Sequence, residues 1–288
     1  MKGFRAVLPV LAVVLMGVAW SPLEATWSVV AVDRDSGQVI IASATCVSQA
    51  ALRGFPSEGL MDIQAIVVPG VGGAVAQAGV DRSRENQRLI HRELQAGTHP
   101  EEILEMLRAD PQIERRQFAI LDRDGRSALF SGADNLDAAR AAEGAVPGTG
   151  IRFTVQGNIL ASDDVVREGV RAFLETEGTM ADRVMAAMEG ADAAGGDRRC
   201  TCETEPVPDA QCNGRTSHVA YLLVAEADDP PGESYNDGDW SLFIDVTDEN
   251  IAPDENANPV ITLRQRYEAQ KAVEEGQGPP GRGLAVSG

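Results

Sequence analysis

The chain has 288 residues, with 44 acidic against 25 basic side chains and a formal charge of −19 at pH 7. That balance excludes a phosphate-backbone binder, because nothing here could displace counterions from nucleic acid, and it disfavours docking on anionic lipid headgroups. A hydrophobic content of 43% and a charged content of 24% are those of a globular protein long enough to bury a core without staples.

Lys2 and Arg5 make a positive start, Ala6–Trp20 follows without a charge, and Ser21-Pro22-Leu23-Glu24-Ala25 is a polar, helix-breaking exit. This is the three-part pattern of a secretory signal peptide over residues 1–25. A membrane anchor is the competing reading, but so short an apolar run spans only about 22 Å as a helix, against about 30 Å for a bilayer core. Cleavage after Ala25 is favoured over cleavage after Ala19, which would fall inside the apolar run. The expected location is secreted or periplasmic, with no membrane insertion after cleavage. The mature chain would then begin Thr26-Trp27-Ser28-Val29, giving Thr26 a free α-amine at the head of a β-branched strand.

Thr26–Val32 and Val39–Thr45 read as strands around the turn Asp33-Arg34-Asp35-Ser36-Gly37. A third strand is expected around Gln64–Val68, before a Gly-rich run at Pro69–Gly73 and a small-residue segment at Ala74–Gly79. Helices are expected over Ser83–Gln95 and His99–Arg108, the second with acidic residues in its first turn. Gln117–Leu121 and Ser127–Ser131 form a hairpin over Asp122-Arg123-Asp124-Gly125. Val155–Leu160 is a short strand, followed by helices at Asp163–Glu175 and Met180–Met188. Ala193–Asn213, with its glycines, prolines and cysteines, reads as a long loop. His218–Ala225 and Ser241–Val246 are strands on either side of the solvated acidic loop Asp228–Asp239, and Pro259–Ala272 is a terminal helix. One domain is expected over residues 26–272, with a disordered tail over 273–288.

Strands, two helices, strands, two helices, strands: this order predicts an α+β fold of antiparallel sheets covered by helices. The Gly-rich run does not continue as G-x-G-x-x-G or G-x-x-x-x-G-K-[ST], so a nucleotide site fails. No serine or cysteine has a G-x-S-x-G context. The aspartate-rich turns at Asp33 and Asp122 lack an acidic twelfth loop residue (Ala44 and Ala133), so both are read as hairpin turns, not calcium loops. His91 and His99 are expected at the surface, and His218 half-buried at a strand start.

The pieces Thr26-Trp27-Ser28-Val29-Val30-Ala31-Val32-Asp33, Ala42-Ser43-Ala44-Thr45-Cys46, Val155-Gln156-Gly157-Asn158-Ile159-Leu160 and Ala194-Gly195-Gly196-Asp197-Arg198-Arg199 occur in that order. Together they resemble the bacterial and archaeal domain of unknown function 1028 family. Leu242–Val246 and the helix at Pro259–Arg266 fit it too, and the likeness runs from about Thr26 to Glu268. That family resembles the N-terminal nucleophile (Ntn) hydrolases, so the resemblance implies a four-layer αββα sandwich of the Ntn-hydrolase type. It speaks to fold more than to reaction, since no activity is established for the family. Some relatives carry a peptidoglycan-binding module, which implies work at the cell envelope.

A threonine hydroxyl is a poor nucleophile until a base removes its proton, and a free α-amine with a reference pKa of about 7.7–8.0 can serve. The reaction would be acyl transfer: attack on an amide, an acyl-enzyme, then hydrolysis, without a cofactor. Chemical type together with the resemblance assigns Gln156, the Gly157 amide and Asn158 to the oxyanion or substrate, and Asp197 to the α-ammonium. The substrate class is a small-molecule or peptide amide. Against this, Lys2 and Lys271 are the only lysines, so the lysine beside the nucleophile of proteasome-like relatives has no counterpart. Two alternatives stand beside it: Thr26 merely opens an edge strand, or the chain is a catalytically silent secreted binding protein with an Ntn-like fold.

Cys46, Cys200, Cys202 and Cys212 most simply make two disulfides in an exported protein. Cys200 and Cys202 are poorly placed to bond each other, so one is expected to reach Cys212 and the other Cys46. The alternative is zinc on Cys200, Cys202, Cys212 and His218, although C-x-C spacing is unusual for structural zinc.

Overall fold

In a computed structural model of the chain, the structure describes residues 26–135, 138–200, 212 and 214–276. The expected signal peptide, Cys202 and the last twelve residues of the expected tail lie outside them. In chain order come β1 (Thr26–Asp33), β2 (Val39–Thr45), α1 (Gln49–Leu52), α2 (Leu60–Gln64), β3 (Ala65–Val68), β4 (Gly72–Ala78), α3 (Glu85–Gln95) and α4 (Pro100–Leu107). There follow β5 (Arg116–Asp122), β6 (Ser127–Ser131), β7 (Arg140–Ala145), β8 (Ile151–Asn158), α5 (Asp164–Glu175), α6 (Met180–Ala193), β9 (Val219–Ala225), β10 (Leu242–Thr247) and α7 (Pro259–Glu274).

The strands form two sheets of antiparallel neighbours, ordered β10-β9-β2-β1-β8-β7 and β3-β4-β5-β6. With seven α-helices beside them among the described residues, the fold is mixed α+β. Side chains alternate across a strand, so β1 serves two cores at once. Trp27, Val29 and Ala31 join Phe153, Phe173, Met185, Met188 and Leu263 in a core between the larger sheet and α5, α6 and α7. Val30 and Val32 point the other way, to Val67, Val75, Ala119, Leu121 and Tyr221, in a core shared by the two sheets. A third core lies where Ile66, Phe118 and Ile120 of the smaller sheet meet Ile90, Leu94, Ile103 and Leu107 of α3 and α4.

Several elements depart from the sequence expectation. The small-residue segment is a strand, β4, whose Gly72 and Gly73 permit close approach on both sides. A Cβ on Gly72 would lie 2.6 Å from the Leu121 carbonyl oxygen, and one on Gly73 2.7 Å from Val39 Cγ1 in the other sheet. β7, an edge strand of sequence Arg-Ala-Ala-Glu-Gly-Ala, lacks the apolar alternation that marks a half-buried strand. The short α1 and α2 were not expected either: at four and five residues each is too brief for a helical period to register. Helix α6 continues five residues beyond Met188, and α7 ends at Glu274 rather than Ala272. Among the described residues no helix is long and apolar enough to cross a membrane.

Candidate active site at the start of the first strand

β1 is not at an edge. It lies between β2 and β8, with Thr26 opposite Thr45 on one side and Asn158 on the other. The side chains of Thr26, Ser28, Ser43, Thr45, Thr154, Gln156 and Asn158 fall on the same face as Val30 and Val32. At this end of the sheet pair, the apolar core gives way to a buried polar layer. Thr26 Oγ1 lies 3.4 Å from Thr45 Oγ1, and Thr26 is 2% exposed. While residues 1–25 remain attached, its nitrogen is a peptide amide and not an amine.

The smaller sheet supplies two glutamines to this layer. Ser28 Oγ donates to Gln77 Oε1 at 2.6 Å, while Gln77 Nε2 donates to the Thr26 carbonyl at 3.2 Å and to Gln117 Oε1 at 2.7 Å. Gln117 Nε2 in turn reaches the Gly157 carbonyl at 3.0 Å and Ser131 Oγ at 2.7 Å. The two glutamines thus tie the carbonyls of Thr26 and Gly157 to one another across the sheets. No expectation included Ser28, Thr45, Gln77 or Gln117. Thr45 belongs to a piece that carries the family resemblance, and Gln77 is the one long polar residue in a run of Gly, Ala and Val; those were the available signals.

Of the residues expected to hold an oxyanion, Asn158 faces Thr26 in register and Gln156 faces Ser28. Gln156 is fully buried, yet neither amide atom has a hydrogen-bond partner among the described residues, and the same holds for Thr154 Oγ1. Buried polar groups are nearly always paired, and these atoms take no partner from the described protein residues. Gly157 is fixed by space: a Cβ there would lie 2.7 Å from Leu160 Cδ2 and 3.0 Å from the Thr26 carbonyl. Directly after Asn158, Ile159 adopts φ +53°, and directly after Gln77, Ala78 adopts φ +71°. Left-handed backbone is costly for a β-branched residue and clusters at functional sites.

Asp197 comes to the same end from the segment after α6. It is fully buried, forms a β-bridge with Leu160, and accepts the Cys46 N–H on Oδ2 at 3.0 Å. Cys46 follows Thr45, the register partner of Thr26, so the carboxylate lies just past the start of β1. Arg199 neutralises it through Nη2 at 2.8 Å. Cys46 and Cys200 form a disulfide, as one of the two pairings expected for Cys46, and Cys212 is also disulfide-bonded. The expected zinc alternative fails because it requires Cys200 as a thiolate. His218 is buried rather than half-buried: its N–H donates to the Thr45 carbonyl at 2.7 Å, and Nδ1 lies 2.7 Å from Arg215 Nη2. Beside it, burial raises the Asp248 pKa, but hydrogen bonds from His218 and the Gln49 N–H outweigh this and hold it below the ordinary carboxylate value.

Two surface clefts lie elsewhere. One of about 400 Å³ runs between α3 and the end of α4, and one of about 180 Å³ lies by the turn at Asp122–Arg126; neither is lined by Thr26, Asp197 or residues 156–158.

The chain matches the model of a family of unknown function (DUF1028) over residues 26–230. Among solved structures it is similar to the crystal structure of protein SPO2555 from Silicibacter pomeroyi, itself assigned to DUF1028. The two share 23% identity over 86% of this chain and 89% of that one, with a TM-score of 0.59; a likeness at this level concerns the fold. No curated protein matches the chain.

Proposed function

We propose, from the premise that the chain belongs to the DUF1028 family, that it is an exported Ntn-type amidohydrolase acting through Thr26. The observation that carries this reading is convergence. Thr26, the fully buried Asp197 and the 156–158 segment come from three distant parts of the chain and meet at one end of adjoining strands. The succession of three cores, helices on sheet, sheet on sheet and sheet on helices, supports a four-layer αββα sandwich of the Ntn type. The disulfide fits an oxidising compartment outside the cytoplasm.

Removal of residues 1–25 converts the Thr26 amide into an amine. The unprotonated amine accepts the Thr26 hydroxyl proton, directly or through a water, as Oγ1 attacks the amide carbon. Donors on the 156–158 segment stabilise the developing oxyanion. The ammonium then protonates the leaving amine, and water hydrolyses the ester left on Oγ1. Asp197 orients the ammonium throughout. The substrate is a small-molecule or peptide amide at the cell envelope or outside the cell. The low exposure of Thr26 favours the second reading, a catalytically silent binding protein on the same fold.

The test is labelling of exported, processed protein with a threonine-directed electrophile, after sequencing of its N-terminus. Wild type is expected to label at Thr26, with a rate that rises as the amine deprotonates near pH ~8, and Thr26→Ala is expected not to label. Equal labelling of both, labelling of neither, or a mature terminus at Trp20 would turn the assignment to the binding protein.

A further inference from the structure

We propose that the Cys46–Cys200 disulfide is the latch that docks Asp197 beside Thr26, so that this end of the molecule is assembled only in the oxidised protein. The catalytic consequence rests on the reading of Thr26 as a nucleophile; the docking itself does not.

The two sulfurs belong to the two segments that must meet. Cys46 directly follows Thr45, the register partner of Thr26, and its N–H holds Asp197 Oδ2 at 3.0 Å. Cys200 lies three residues beyond Asp197, and its N–H reaches the Asp197 carbonyl at 3.4 Å. The disulfide therefore closes a small circuit: Cys46 backbone to Asp197 carboxylate, Asp197 to Cys200, and Cys200 sulfur back to Cys46.

The backbone of this segment is held by the Asp197–Leu160 bridge and by the Ala161 N–H, which donates to the Gly196 carbonyl at 2.9 Å. Arg198 and Arg199 are exposed, so Cys200 is the one buried apolar side chain between Asp197 and Cys200. On the other side, Gly195 and Gly196 adopt φ +107° and +47°, conformations that glycine takes without strain. Gly196 is further restricted by space, since a Cβ would lie 2.7 Å from the Trp27 ring, so this hinge packs against the residue next to Thr26. The backbone bonds at Leu160 and Ala161 tie Asp197 to the strand end there, whereas the sulfur bridge is the covalent tie of its C-terminal side to Cys46, whose N–H holds the carboxylate.

Reduction by a dithiol is balanced: two electrons and two protons pass to the protein, giving two thiols, and the dithiol closes to its cyclic disulfide. Formation after export is the reverse exchange with a disulfide donor. The proposal thus makes the site unassembled in a reducing cytoplasm and assembled outside it.

The first arm of the test uses the full chain and hydrogen exchange, before and after dithiothreitol. The Cys46 amide is expected to exchange at least ~10-fold faster on reduction, while amides of Val29–Ala31 and Ile40–Ala42 keep their protection. The second arm uses processed protein and titrates the Thr26 amine by its pH-dependent acylation with an activated ester. Loss of a docked carboxylate is expected to lower that amine pKa by about one unit. C46S/C200S and Asp197→Asn are each expected to produce this fall, and their combination to produce no more than either alone, which a general loosening would not do. An unmoved Cys46 amide, an unmoved amine pKa, additive effects, or loss of protection throughout β1 and β2 would each overturn the latch. If the amine pKa shifts as expected but oxidised wild type never labels with the electrophile, the hydrolase assignment falls and the latch stands.

Discussion

Gln77 carries an unusual share of the contacts at the start of β1. A fully extended strand offers each side chain one face, and Gln77 uses that face to bond Ser28, the Thr26 carbonyl and Gln117 together. Removing it leaves at least one buried donor or acceptor on each of these groups without a partner, at about 1–3 kcal/mol apiece before any relaxation. Gln77→Met keeps the length and loses every bond. It is expected to lower unfolding stability by about 3 kcal/mol, read from the urea midpoint at unchanged slope. A loss below about 0.5 kcal/mol would mean that water takes over these bonds and that the cross-sheet tie is incidental. None of this could be read locally. In Gly-Gly-Ala-Val-Ala-Gln-Ala the small residues mask the strand, and the partners of the glutamine lie on strands far away in the chain. By contrast Thr26, Asp197 and residues 156–158 were legible, because a sequence resemblance carries residue identities even where it says nothing of distances.

The scarcity of lysine acquires a meaning at the scale of elements. Lys271 lies on α7 and bonds Asp182, the N3 residue of α6, at 2.8 and 3.0 Å; Asp182 also receives the Tyr267 hydroxyl and completes a capping box with Thr179. The lysine outside the expected signal peptide therefore joins two helices on the outer side of the larger sheet. Burial alone would raise the Asp182 pKa, but Lys271, the Thr179 N–H and Tyr267 outweigh it and hold it at about 2. A lowered folded pKa contributes stability above the unfolded value near 4, and that contribution disappears as pH falls through about 2. Asp182→Asn is therefore expected to cost about 2 kcal/mol at pH 7, with the difference from wild type shrinking below pH 4. Thermal midpoints of both proteins at pH 7 and pH 2 measure it; a constant gap across that range would place the loss in packing rather than charge. Helices of this length were legible from spacing and caps. The extension of α6 beyond Met188 was not, since Glu-Gly-Ala-Asp-Ala lacks both a good helix former's run and a stop until Gly195.

Across the whole molecule, register turns separate strands into a continuous row. Asp245, Tyr221, Ser43, Ser28 and Gln156 stand opposite one another from β10 through β9, β2 and β1 to β8. This row marks where the apolar core between the sheets turns polar, and Asp245 is its charged end. Burial pushes the Asp245 carboxyl up to about 6, with the Arg266 guanidinium only partly opposing it. The sign is opposite to that of Asp182. A raised carboxyl pKa contributes its stability below the unfolded value near 4, and loses it as pH rises through about 6. At pH 7.5 the folded protein must then hold a half-buried carboxylate, and Asp245→Asn removes that charge while keeping the shape. The substitution is expected to stabilise the protein by up to about 2 kcal/mol at pH 7.5 and by nothing measurable at pH 3.5. The net charge of −19 offers a rival cause, since deleting any carboxylate relieves self-repulsion. Salt separates them: long-range repulsion is screened within about 3 Å at 1 M, whereas the penalty of burial is local and persists. Urea unfolding of both proteins at pH 7.5, at 0.1 M and 1 M salt, is therefore expected to return the same gain. A gain that vanishes at high salt, or one of equal size at pH 3.5, would assign the effect to overall charge or to packing and leave the buried end of the row without a cost.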